Sequence, residues 1–274
     1  MFWPAGTCKL PKGWLTPLEA YKTKLYLPPI CAGDTSIPLG AQVISGVGAW
    51  TTQPPGIGSF SDPADPNALY YSALTGPDTV LITWTITNAS CNRLEIVQPL
   101  VVSKPPVGII LTAPDTICAG AVSDTIRASD PVGTGVWKVI NNLGGISSLT
   151  DTAIVYISSL LDGGNQVQLY WITKNGVCKP DTVADTIWVD ARPSGDFPFA
   201  IDPVCAGSPA DTIFATLTSG VGVWSTTGNG TFSNLQTPTT IYTTSTTDAG
   251  GTDTLFYIVS NGVCPSDTNF QLVQ

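Results

Sequence analysis

Along much of this chain apolar and polar side chains alternate one by one, the period of a strand buried on one face. Ile82-Thr83-Trp84-Thr85-Ile86-Thr87 is the clearest case. The same alternation puts Leu169, Trp171 and Thr173 on one face of a later stretch, and Leu255, Tyr257 and Val259 on one face of another. Further short strands are expected around Ala68–Tyr71, Ile154–Tyr156 and Thr240–Thr243. Short strands with Gly and Pro punctuation between them predict antiparallel β-sandwiches.

These stretches belong to a repeat. Ile30-Cys31-Ala32-Gly33, Ile117-Cys118-Ala119-Gly120 and Val204-Cys205-Ala206-Gly207 follow one another at a period of 87 residues. Nineteen residues after each cysteine stands a tryptophan, Trp50, Trp137 or Trp224, closing a Gly-x-Gly-x-Trp run. A second cysteine, Cys91, Cys178 or Cys264, follows 40 or 41 residues later. Three landmarks in register mark tandem units. Their expected core is Trp50, Trp137 and Trp224 packed with the strand aromatics Trp84, Trp171 and Tyr257. Proline-bearing linkers at Lys104-Pro105-Pro106 and Arg192-Pro193-Ser194-Gly195 divide the chain into repeats over 28–104, 105–192 and 193–274. Proline fixes φ and lacks an amide hydrogen, so the joints should be short and stiff.

Residues 1–27 do not fit the repeat. They form an arm with Lys9, Lys12, Lys22 and Lys24 against Glu19, a charge of +3, while the rest of the chain carries −12. Thr16-Pro17-Leu18-Glu19 has the spacing of a capped helical turn, and Lys24–Leu27 is a candidate first strand. The arm also holds Phe2, Trp3 and Trp14, apolar groups suited to packing on a neighbouring copy. An acidic body argues against nucleic acid, since phosphates need clustered Lys and Arg. No apolar run is long enough for a membrane helix, and the first residues do not read as a signal peptide. A processed or partial chain is the expectation.

Seven cysteines at repeated spacing imply disulfides made in an oxidising compartment. The preferred pairing is internal to each unit: Cys31 with Cys91, Cys118 with Cys178, Cys205 with Cys264. Each bridge would close about 60 residues, worth on the order of 4 kcal/mol in the chain-entropy model. Cys8 is then left over, buried and inert or available to link two molecules. A rival scheme joins Cys8 with Cys31, Cys91 with Cys118 and Cys178 with Cys205. The chain has no histidine and no Cys-x-x-Cys, so neither an imidazole mechanism nor a zinc site is expected. With only two glutamates, no catalytic residue and no cofactor are assigned. Asp62 and Asp65 are read as loop residues in preference to calcium ligands.

Asp-Thr followed by an aliphatic residue recurs at Thr79, Thr116, Thr125, Thr152, Thr182, Thr186, Thr212 and Thr254. Aspartate ending a turn and threonine opening a strand explains the dipeptide. Asn88-Ala89-Ser90 and Asn229-Gly230-Thr231 have the form of N-glycosylation acceptors.

The Ile-Cys-Ala-Gly segments, the run from Gly222 to Ser233 and Asn261-Gly262-Val263-Cys264 together resemble the PKD-like and Ig-like tandem repeats of large Bacteroidota surface proteins. The resemblance spans about residues 28–274 and does not reach the arm. It implies three tandem Ig-like or PKD-like antiparallel β-sandwiches in an elongated array, and an extracellular or cell-surface location. It also implies O-linked sugar at some of the eight threonines, and it carries over no catalytic residue. The expected function is a structural surface protein, either a fibre subunit that binds other copies of itself through its arm or an adhesin stalk that binds glycans or host ligands.

Overall fold

The computed structural model describes residues 27–42, 46–73, 75, 78–88 and 91–274. Phe2, Trp3, Cys8, Trp14, the Thr16–Glu19 turn and most of Lys24–Leu27 lie outside them. Among the described residues the chain is all-β, interrupted only by two 3-10 turns at Leu160–Asp162 and Thr246–Asp248. Tandem β-sandwiches are what the alternation predicts. The residues divide into two compact units. The first holds the first repeat to Ile109 with Asp130–Gly135 and Ile172–Thr182; the second holds Ile110–Ser129, Val136–Trp171 and Val183–Gln274.

In the first unit, a four-stranded sheet runs in the order Ile30–Cys31, Cys91–Ser103, Thr79–Asn88, Val47–Gln53. Along Thr79–Asn88 the residues Val80, Ile82, Trp84 and Ile86 are buried while the threonines between them face outward or lie half-covered. Opposite this layer stand Leu39, Ala68 and Tyr70, all fully buried, with Phe60 packed against them. The rings of Trp50 and Trp84 lie 4.7 Å apart, centre to centre.

In the second unit, Trp137 meets Trp171 at 4.9 Å within an apolar cluster that also holds Ile126, Tyr156, Leu169 and Ile187. The third repeat builds its cluster on Trp224, Tyr242, Leu255, Tyr257 and Val259. Its sheet runs Val221–Thr226, Asp253–Ser260, Asp267–Val273, with Trp224 directly opposite Tyr257. Three clusters thus succeed one another along the chain, each with two large aromatics in contact.

The Gly-x-Gly-x-Trp runs have two separate causes. Their first glycines, Gly46, Gly133 and Gly220, sit at φ of 106°, 107° and 95°, which side chains rarely adopt. The next glycine makes room. A Cβ on Gly48 would fall 1.9 Å from the Trp84 ring, and one on Gly222 would fall 2.0 Å from the Tyr257 ring. The plug on the neighbouring strand therefore requires a bare backbone beside it.

Each repeat tryptophan also ties down a loop. The indole N–H of Trp50 donates to the Asp65 carbonyl at 2.9 Å, that of Trp137 to Asp151 at 2.9 Å, and that of Trp224 to Thr237 at 2.8 Å. Phenylalanine would fill much of the same space but leave that carbonyl without its donor.

Candidate functional site

The described chain brings its sulfurs together in a pattern neither expected scheme contains. Cys31 is bonded to Cys178 within the first unit and Cys118 to Cys264 within the second. Both pairs have Cα atoms 4.9 Å apart. Cys205, expected to pair with Cys264, is free and exposed. The internal pairing of Cys31 with Cys91 and of Cys118 with Cys178 is thus corrected, and so is the rival scheme's pairing of Cys178 with Cys205.

The physical reason lies in the last strand of a repeat. Cys31 sits on a two-residue strand running parallel to the end of Cys91–Ser103, with Cys31 opposite Ser103. Cys91 stands at the other end of that strand, twelve residues away, or about 40 Å at roughly 3.3 Å per residue. A disulfide spans only about 4.4–6.8 Å between Cα atoms. In the third repeat the Val204 amide likewise donates to the Gln274 carbonyl at 2.8 Å, beyond the end of Asp267–Val273, while Cys264 precedes the start of that strand. The first cysteine of a repeat therefore lies where the chain leaves it. The second lies in the hairpin turn where the last strand begins.

Two equivalent joints result. In the first, Asn175 donates its side-chain amide to the Lys104 carbonyl at 2.8 Å, and the Gly108 amide donates to the Asp181 carboxylate at 2.9 Å. In the second, Asn261 donates to the Ala191 carbonyl at 2.9 Å, and the Gly195 amide donates to Asp267 at 2.9 Å. The turn itself needs its glycine: Gly176 and Gly262 have φ of 53° and 81°, and a Cβ on Gly176 would meet the Ser103 hydroxyl at 2.0 Å. Each joint is thus a covalent bond between the start of one repeat and the hairpin turn of the next, accompanied by two hydrogen bonds to the backbone at the linker. The Asn-Gly-x-Cys spelling, with aspartate three residues later, recurs at both turns and is the one signal in the sequence that could have pointed to them.

Burial brings tyrosine and aspartate together elsewhere. The Tyr156 hydroxyl donates to Asp162 at 2.7 Å, and the amides of Leu143 and Ser159 donate to the same carboxylate at 2.6 and 2.8 Å. Desolvation pushes the Asp162 carboxyl up, but these donors outweigh it and hold it below the ordinary aspartate value. Desolvation and the neighbouring carboxylate both push the Tyr156 phenol up. Tyr242 donates to Asp253 at 2.7 Å in the third repeat, whereas Tyr70 donates to the Ile57 carbonyl at 2.9 Å in the first. These pairs anchor loops.

Because the Asp162 value is lowered on folding, its stabilisation is full above the ordinary carboxylate range and is lost as pH falls through the depressed value. Asp162→Asn should therefore lower stability near pH 7 by about 1–3 kcal/mol and flatten the acid limb of the stability curve. Urea unfolding of both proteins at pH 7 and pH 3 reads this. An identical loss on acidification in both would exclude the role.

Asp62 and Asp65 each use a carboxylate oxygen to accept a backbone amide, from Ala64 and Asn67 respectively. No cluster of three metal-ligating side chains exists among the described residues. Seven of the eight threonines, Thr79, Thr116, Thr125, Thr152, Thr182, Thr186 and Thr212, are exposed, and Thr254 is half-buried. Asp181 and Asp185 accept the amides of the threonines that follow them; Asp181-Thr182 opens the strand Asp181–Asp190 as expected of the dipeptide, whereas Asp185-Thr186 lies within that strand. Asn229 donates its side-chain amide to Asp248 at 2.6 Å, so that nitrogen is already engaged. Ala89 and Ser90 of the other acceptor motif lie outside the described residues.

Trp188 is 40% accessible, its indole donating to Asp190 at 2.6 Å. It borders an open depression lined also by Asn141, Leu143, Asn165 and Gln166. Phe199, Phe214 and Phe270 are exposed too, which strand periodicity did not single out. Among the described residues, no helix is long and apolar enough to cross a membrane.

No protein-family model matches the chain, and no curated protein sequence matches it. Solved structures similar to it include mouse cadherin-23 repeats EC22–24, at 12% identity and a TM-score of 0.40, covering 87% of this chain and 88% of that one. Mouse protocadherin-24 EC1–3 is similar at 15% identity and a TM-score of 0.39, covering 89% and 94%. The insect immune protein hemolin is similar at 16% identity and a TM-score of 0.37, covering 91% and 75%.

Proposed function

We propose that this chain is a non-enzymatic structural segment of an extracellular stalk, made of repeats over 28–104, 105–192 and 193–274. One observation carries the reading: each linker is bridged by a disulfide from one repeat to the hairpin turn of the next. A protein that only needed stable domains would gain as much from bridges inside them. A bridge across a joint instead resists hinge motion and passes tension past the linker. Disulfides also favour an oxidising, extracellular setting. The test is mechanical: stretching oxidised and reduced chains between their ends, with equal extension in both states overturning the reading.

In its finer form the reading makes the chain a fibre subunit that joins other copies through residues 1–27. The charge contrast between that segment and the body supports this. Deleting residues 1–23 should abolish fibres seen by negative-stain microscopy. Fibres of unchanged length and number would refute the arm as connector.

A second reading, glycan binding, rests on Trp188. An exposed indole beside the amides of Asn141, Asn165 and Gln166 is suited to stacking on a sugar ring while hydrogen-bonding its hydroxyls. Trp188→Ala should remove at least tenfold in affinity from any glycan bound on an array, about 1.4 kcal/mol. Unchanged binding by the variant dismisses this face.

A further inference from the structure

The free cysteine of the third repeat occupies the place that the other two repeats use for their bridges. The cradle around it is the same three times. The Cys31 carbonyl accepts the Asp34 amide at 2.9 Å and the Ser72 hydroxyl at 3.1 Å. The Cys118 carbonyl accepts Ala121 at 3.0 Å and Ser158 at 2.9 Å. The Cys205 carbonyl accepts Ser208 at 3.0 Å and the Thr244 hydroxyl at 3.0 Å. Cys31 and Cys118 lie on short strands paired with the last strand of their repeat and are buried beneath their partner turns, whereas Cys205 lies outside any strand and is exposed. The independent observation is that both equivalent sulfurs are already ligated, each by a cysteine three residues after an asparagine in a hairpin turn.

We infer that Cys205 is a third joint site, and that it takes the Asn-x-x-Cys hairpin turn of a further repeat of this fold. That turn brings its thiol to Cys205 and its asparagine amide to the linker carbonyl, as Asn175 and Asn261 do. Bond formation consumes a disulfide oxidant such as oxidised glutathione. The Cys205 thiolate attacks one glutathione sulfur and expels the other as a thiolate. The incoming cysteine thiolate then attacks the Cys205 sulfur, forming the joint bond and releasing the second glutathione. Two protein thiols lose two electrons and two protons, and one glutathione disulfide gains them.

The inference rests on the joints that carry the stalk reading, yet its test is separate from stretching. The whole chain is lengthened after Gln274 by a second copy of residues 189–274, or in another version by residues 102–188. Each is oxidised in glutathione buffer, and free thiols are then alkylated. Protection of Cys205, with a peptide two hydrogens lighter linking it to the added turn cysteine, is the expected result. Cys205 reacting as fully as in the unlengthened chain, in both versions and with the Cys31 and Cys118 bridges intact, overturns it. In the lengthened chains, Cys205-to-Cys205 dimers as the sole new bridged product likewise overturn it. A failed stretching experiment leaves all these outcomes readable.

Discussion

Pulled apart from its two ends, the oxidised chain should stop lengthening after about 100 residues of unfolded contour, roughly 350 Å, while the reduced chain should reach about 950 Å. The bridges overlap along the sequence, because Cys118 lies inside the loop closed by Cys31 and Cys178, and Cys178 lies inside the other. Between the two bridges run three covalent paths in parallel. The shortest, Cys118 to Cys178, has about 60 residues and becomes taut first, shielding the two longer ones. It is also the stretch that contains most of the second apolar cluster, with Trp137 and Trp171. Bridges internal to each repeat would shield about the same number of residues in each of three separate steps. Overlapping bridges give one shared limit. Internal bridges would leave nearly the same total free, about 95 residues, so the quantity read is the gain on reduction, and equal contour lengths with and without reductant in single-molecule stretching would rule out the bridged joints.

The second large effect is local. Trp224→Ala should destabilise the third repeat by about 3–5 kcal/mol, a large share of the roughly 5–15 kcal/mol that holds a domain folded. Trp224 contacts Tyr257 at 4.8 Å, Phe232 at 5.7 Å and Phe197 at 5.4 Å, so truncation opens a hole lined by aromatics that cannot close over it. It also orphans the Thr237 carbonyl. Scanning calorimetry should show one transition falling by about 15 °C or more. Trp224→Phe, which keeps most of the ring but not the donor, should cost only about 1–2 kcal/mol. A fall of only a few degrees for the alanine variant would show that this tryptophan is not the centre of its cluster.

Much of the fold was legible because a strand buried on one face leaves a mark at every second residue. Ile82, Trp84 and Ile86 announce their burial without any knowledge of the partner strand. The repeat added register, since three cysteine-to-tryptophan spacings cannot agree unless three units agree. The reason for tryptophan itself was not legible, because the loop carbonyl it meets lies 13 to 15 residues away along an irregular path. Nor was the need for Gly48 and Gly222, which arises from a ring on the neighbouring strand.

The joints show where reading along the chain ends. Sequence separation favours closing about 60 residues over about 147, but loop-closure entropy separates the two by less than about 1 kcal/mol. Geometry decides instead. One cysteine stands at each end of a strand far longer than a disulfide can span, so the sulfurs of a single repeat cannot meet. Residue order alone determined the β class, the period and which side chains face inward. Which sulfur finds which, and why Cys205 is left exposed, was decided only once the last strand had carried its two ends apart.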